Sequence, residues 1–471
     1  MKKIILLIIF FSVHVSANEL PELGSSFDTF LSKADEKKVK FQILKQVYQS
    51  NSYVNDPEIT DYFNNLGNSL IKNGLNENLS INFFLVNDSS INAFAMLGNI
   101  IGIHTGLVFA SRSESELASV ISHEIAHVSQ KHLLRLFDSQ ARNTYKTYLA
   151  VAIAILVARS SPQLASGAMV AGAASQVQNV LDYTRANERE ADRIGLQILN
   201  KSGYDPRGFI DFFNSMQKFN EFSSGAAPAF LRTHPITAER ISDIQDRIKD
   251  YDYVQKKNPI EFYLIKAKIK GLIGDSNLLS EKFLDEIQAK NYVNEAAAYY
   301  GLIYSLIRQN KIHEALRHFE YLKSLNIQSP MLIHLNAQLL ILENKYEEAF
   351  EIYSFGLTKN PYYRAFVLGY AQLLIQRNSI DEAIDFIRQY LNIFDNDSNL
   401  YFLLSKAFQL KKEPQLEHES LSYAFYYQYN MDDAIIQMDM AVKVNSDNFH
   451  NQSRVEYRLK ELMREQELMN L

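Results

Sequence analysis

From about residue 258 onward the apolar and polar positions fall into paired helical patterns that repeat at a fixed interval. Ala315, Ala349 and Ala383 stand 34 residues apart, as do the turn residues Asn310, Asn344 and Asn378. Phe319, Tyr353 and Ile387 fill the next shared apolar slot, and Pro361 falls where the second helix of a unit should stop. Ala337 and Ala371 hold the small position of a first helix, a rule that Ile303 breaks. Weaker units are expected before and after these, around Gly274 and around Asn430 to Ala434. Upstream, Leu117, Val120, Ile121, Ile125 and Val128 recur at helical spacing with no Pro or Gly between them, which predicts an amphipathic helix over 114–130. A second helical stretch covers 183–195. Residues 148–157 are apolar but end at Arg159, Pro162 and Gln163. At about ten residues the run is half the roughly 20 that span a bilayer. With the small-residue stretch 164–175 it is expected to form two packed helices or a flap over an active site.

Thirty-four residues is the tetratricopeptide period, in which a small residue is needed where the two helices of a unit approach closely. An all-α solenoid over 258–450 is therefore expected, followed by a C-terminal helix over 451–471. Such arrays expose a concave face that commonly holds peptides or partner proteins.

Composition narrows the partners. Forty-eight Lys and Arg against 54 Asp and Glu give a net charge of −6, which argues against nucleic acid as a main partner. Met1-Lys2-Lys3, a short apolar stretch over 4–15 and Val15-Ser16-Ala17 have the form of a secretory signal peptide. The expected division is thus 1–17 signal, 18–252 first domain, then the repeats. The absence of Cys is compatible with an oxidising compartment.

The candidate chemistry sits in the first domain. His123-Glu124-Ile125-Ala126-His127 places two imidazoles at i and i+4 on one helix face, able to reach one metal ion, with Glu124 close enough to touch its water. That is the ligand spacing of a zinc hydrolase. A third protein donor is then required, often a distant carboxylate. Glu188 and Asp192, again an i,i+4 pair, suit a ligand and an acceptor that orients a ligating imidazole. The competing reading of each helix is a solvated polar face.

Here the chain resembles the zinc metallopeptidase family whose pattern is HExxH followed by ExxAD, to which the CAAX prenyl endopeptidases belong. His123, Glu124 and His127 match the first motif, Glu188 and Asp192 the second. The stretches Asn92-Ala-Phe-Ala-Met-Leu-Gly98 and Ile100 to Leu107 resemble the segment that lines the family's substrate cleft. Arg232-Thr-His234-Pro235 with Arg240 resembles its THP box, and Gly98-Asn99 stands where Gly-Gly is common.

The resemblance implies an α+β, mostly helical, gluzincin-like peptidase domain with one zinc ion held by His123, His127 and Glu188. It implies Glu124 as general base, Asp192 as support and no role for Glu190. His234 is implied either to stabilise the oxyanion or to occupy the open zinc position. Arg240 either pairs with an anionic centre or lies on a solvated face. A signal peptide and tetratricopeptide array further resemble the periplasmic members, which implies unfolded or stalled outer-membrane proteins as clients, the barrel-assembly machinery as a partner of the repeats, and at most peripheral membrane contact. The rivals are a repeat-based chaperone or adaptor with a masked zinc site, and a membrane-embedded prenyl-type protease.

Overall fold

The computed structural model describes residues 33–75, 79–135, 185–222, 228–252, 254, 256–444 and 448–469. The expected signal peptide and the stretches 148–157 and 164–175 lie outside these residues. No helix among the described residues is long and apolar enough to cross a membrane.

The first half runs α1 (Lys33–Gln49), α2 (Pro57–Gly74), β1 (Asn82–Val86), β2 (Ala93–Met96), β3 (Ile100–His104), α3 (Thr105–Ala110), α4 (Glu114–Ser129), α5 (Arg185–Lys201), α6 (Gly208–Phe222), α7 (Ala229–Thr233) and α8 (Ala238–Ile248). The small sheet has the order β1-β3-β2, β1 parallel and β2 antiparallel to the central β3. The reversal from β2 to β3 needs left-handed backbone, and Gly98 and Asn99 supply it with φ of 80° and 58°. Asn tolerates that region by bonding its own backbone, so a second Gly is not required.

Helix α4 starts where Ser113 accepts the backbone N–H of Glu116, with Glu114 and Glu116 in the positive first turn. It is not amphipathic as its apolar spacing predicts: every residue from Glu114 to His127 is buried. The cause is its position at the centre of the domain, with β2, α2, α5 and α6 packed around it. Polar side chains on its far face are thereby turned inward.

The second half is helical throughout its described residues: α9 (Ile260–Ile273), α10 (Ser276–Gln288), α11 (Glu295–Arg308), α12 (Ile312–Ser324), α13 (Pro330–Leu342), α14 (Tyr346–Lys359), α15 (Arg364–Gln376), α16 (Ile380–Leu391), α17 (Ser398–Lys411), α18 (Pro414–Tyr427), α19 (Met431–Lys443) and α20 (Phe449–Met469). Asn310, Asn344 and Asn378 take φ of 59°, 61° and 62° at the turn inside each pair, the left-handed stop that Asn accommodates. Lys412, another 34 residues on, does the same at 62°. Ala315, Ala349 and Ala383 are fully buried where the helices of a pair meet. In the unit where Ile303 breaks the small-residue rule, Ile303 is itself fully buried, and Gly301 of the same helix meets α10 of the preceding unit: a Cβ there would lie 2.4 Å from the Phe283 ring.

The two halves share one hydrophobic cluster that runs from Val54 to Leu339. Buried Lys268 of α9 reaches back to Glu58 and Asp56 at the start of α2, at 2.6 and 2.7 Å. The far end of the array also returns to the first half. Phe41 of α1 packs with Met431, Met438, Val455 and Leu462, and Lys45 pairs with Asp432 at 2.9 Å.

Candidate metal centre

Helices α4 and α5 face each other at unusually close range, which is what assembles the site. Gly195 lets them meet, since a Cβ there would sit 3.0 Å from both the N and Cα of His123. His123 and His127 of α4 then confront Glu188 and Asp192 of α5. The third contributor is α7, whose C-terminal residue His234 donates its backbone N–H to the Phe230 carbonyl at 2.7 Å.

The nitrogens of His123, His127 and His234 and a carboxylate oxygen of Glu188 all lie within 4.8 Å of one another, and all four residues are buried. His127 Nε2 is 3.0 Å from His123 Nε2, and His234 Nδ1 is 3.4 Å from His123 Nε2 and 3.0 Å from Glu188 Oε1. Glu188 stands 3.6 Å from His123 Nε2 and 3.4 Å from His127 Nε2. Four donors bound tetrahedrally at about 2.1 Å are separated by about 3.4 Å along each edge. The printed separations, 3.0 to 3.6 Å, bracket that value, so the chemistry and spacing of the donor set fit a metal of that kind.

Charge points the same way. Glu124, Glu188 and Asp192 are almost wholly buried against one comparably buried guanidinium, Arg240. With the imidazoles neutral, as metal ligands must be, three carboxylates against one guanidinium would leave two negative charges, an excess that a dication neutralises.

Behind the donors each side chain is held. Asp192 stands 3.0 Å from His123 Nδ1 and receives both Nε and Nη2 of Arg240, at 2.6 and 2.7 Å. Arg240 also lies 2.8 Å from Glu188 and donates to the Pro235 carbonyl. It is thus buried, not on a solvated face, and ties Glu188, Asp192 and the His234-Pro235 turn together. Glu124 makes no hydrogen bond through either oxygen and stands 3.3 Å from His234 Nε2.

Burial opposes charge on all of these groups, so each shift reports which partner outweighs it. For Glu188 burial works upward, but the His234 charge and hydrogen bonds from all three imidazoles hold the carboxyl well below its usual range. Asp192 is also lowered: burial is outweighed by Arg240 and then His123. Burial drives His127 well down, whereas hydrogen bonds to Asp192 and Glu188 overcome it at His123 and push that imidazole to about 9.

Three residues without a predicted role join the site. His132 Nδ1 lies 2.9 Å from Nδ1 of His127, and its Nε2 lies 3.0 Å from Glu190 Oε2, which Arg135 also contacts at 3.0 Å. Lys131, at φ 52° two residues past α4, turns the chain back so that His132 reaches His127. A spacing of five residues carries no same-face signal on a helix, so only a folded chain reveals this contact.

Residues 61–248 match peptidase family M48, and residues 340–407 match a tetratricopeptide repeat. The chain is 36% identical over 301 residues to the beta-barrel assembly-enhancing protease of Escherichia coli O157:H7, covering 64% of this chain and 62% of that one. Identity to the protein of the same name from Yersinia pestis is 34% over 297 residues, 63% of this chain and 61% of that one. A mitochondrial metalloendopeptidase of Arabidopsis thaliana is 29% identical over 164 residues, 35% of this chain and 31% of that one. The match thus spans less than two thirds of the length of these curated relatives.

Proposed function

We propose that this chain, which carries a peptidase family M48 domain ahead of tetratricopeptide repeats, is a zinc-dependent endopeptidase acting on unfolded or stalled outer-membrane proteins. The observation that carries the reading is the convergence of His123, His127, Glu188 and His234 at tetrahedral spacing beside the unbonded carboxylate of Glu124. His123, His127 and Glu188 would hold one zinc ion, with Asp192 and Arg240 orienting them. When bound, zinc supplies a Lewis acid that acidifies water and polarises a scissile carbonyl.

The protein's part is proton handling and alignment. Glu124, free at both oxygens, takes a proton from the attacking water and delivers it to the leaving amine, as a general base within hydrogen-bond reach does. His234 would be the fourth donor at rest, since its Nδ1 lies among the donors and its Nε2 lies toward Glu124. Turnover requires its imidazole to leave. Strand β2 is an edge of the sheet, and a peptide laid along it would add a strand. The carboxamide of Asn92, immediately before β2, is fully buried with neither polar atom hydrogen-bonded. That supports a seat for a substrate backbone amide.

The proposed organisation is a secreted, periplasmic chain with a peptidase domain over 18–252, a repeat domain over 258–450 and a final helix, the repeats engaging client or barrel-assembly machinery. Glu124→Gln, assayed on an unfolded outer-membrane protein, tests the chemistry. Cleavage should fall by at least about 100-fold, the scale of a lost general base, and persistence of cleavage refutes the mechanism.

A further inference from the structure

We propose that His132 is a positioning residue for His127: it accepts the Nδ1 proton of that imidazole, so that His127 Nε2 keeps a lone pair for a metal ion, and Glu190 holds His132 in turn. The inference rests on the zinc reading above. An imidazole that ligates through Nε2 must carry its proton on Nδ1, and the partner of Nδ1 decides whether it stays there. His123 meets that need directly, through Asp192 at 3.0 Å. His127 is arranged differently. Its partner at Nδ1 is His132 Nδ1 at 2.9 Å.

The proton positions along this row are then dictated. His127 Nδ1–H donates, so His132 Nδ1 must be bare and its own proton must lie on Nε2. That proton points to Glu190 Oε2 at 3.0 Å, an oxygen also held by Arg135 Nη1 at 3.0 Å.

The row also explains why a second imidazole is interposed. Glu188, Glu190 and Asp192 all lie on α5. At about 100° per residue, Asp192 returns to nearly the face of Glu188, whereas Glu190 points about 200° away from it. Glu190 cannot reach the metal face directly. His132, on the turn after α4, spans the gap. Each histidine of the HExxH pair is thereby fixed by a carboxylate and an arginine: Asp192 with Arg240 for one, Glu190 with Arg135 for the other, the latter at one ring's remove.

The test uses the full chain stripped of metal and titrated with Zn²⁺ against a colorimetric chelator, with the melting temperature of the metal-free protein read alongside. Wild type should take up one zinc. His132→Leu, which keeps bulk and loses the acceptor, should bind about 10- to 100-fold more weakly, the usual cost of removing an orienting partner. His132→Asn places an oxygen near the former Nδ1 and should recover most of that loss. Equal affinity of His132→Leu and wild type overturns the proposal, as does equal weakening of the Leu and Asn variants, which would mean that the ring only fills space. Should His132→Leu not fold, Glu190→Ala decides: weaker binding supports the row, and wild-type affinity refutes it. A wild-type chain that takes up no zinc overturns the metal reading itself, an outcome distinct from the others.

Discussion

Replacing Gly195 by Ala tests whether the close approach of α4 and α5 sets the metal centre. The added Cβ would stand 3.0 Å from the N and Cα of His123 and 3.1 Å from Cζ of Phe209. Ordinary contact is about 3.5–4.0 Å, and backbone atoms, unlike the ring, cannot rotate aside. The helices must part by about half an ångström, and Glu188 and Asp192 move with α5. An error of about 1 Å in a catalytic array costs about 100-fold, so kcat/KM should fall by about 10-fold, equivalent to about 1.4 kcal/mol. Stability should fall by about 0–2 kcal/mol. Overpacking costs about 1–3 kcal/mol, and the helix propensity of Ala over Gly returns about 1 kcal/mol. The assay is kcat/KM on an unfolded polypeptide together with zinc affinity and melting temperature. Gly203→Ala is the control, since Gly203 has φ 72° and nothing within 4 Å of an added Cβ; it should cost stability through backbone strain and leave the site alone. Wild-type kcat/KM and zinc affinity in a folded Gly195→Ala chain would refute the reasoning.

If His234 blocks the metal position as proposed, His234→Ala should raise kcat/KM on unfolded substrate; a fall of 10-fold or more, about 1.4 kcal/mol, would instead make His234 an oxyanion donor. Lys268→Met leaves Glu58 buried without its cation and should cost about 3–5 kcal/mol in urea unfolding, much of it recovered when Glu58→Gln is added; little loss in the single variant would deny the pair its part in joining the two halves. Burial lowers the pKa of Lys266 from its usual 10.5 to about 8. Between those values the unfolded chain binds the extra proton, so wild-type stability relative to Lys266→Met should rise as pH goes from 8 to 10.5. A flat or falling difference in chemical denaturation would contradict it.

Much of this molecule is written in local spacing. The 34-residue period, the Ala positions and the Asn turns are visible because each repeat meets the same neighbours, so the same residue types recur. The recurrence is lost where geometry persists without residue type: Lys412 adopts the left-handed turn of Asn310, Asn344 and Asn378 at the next period. In the first half, i,i+4 spacing groups His123 with His127 and Glu188 with Asp192, but cannot say that α4 is enclosed on all sides. That depends on which elements pack around it. His132 and Glu190 were illegible for a related reason, as their contact is made across a chain reversal and between helices. Arg240 was ambiguous because a charged residue on a short helix reads alike whether it faces water or buried carboxylates.

The return of α1 to the last helices alters how the repeat array can come apart. An open stack frays from its terminal units, because each unit holds only to its neighbours. Here Phe41 and Lys45 of α1 clasp α19 and α20, while Lys268 and Tyr363 anchor earlier units to Glu58. Among the described residues the final units are therefore held by α1, and peeling them away means dislodging a helix of the half that carries the candidate metal centre. Heat should then melt the repeats and the first half in one cooperative step. Damage near residue 455 would reach the metal centre through stability alone, without touching a single ligand.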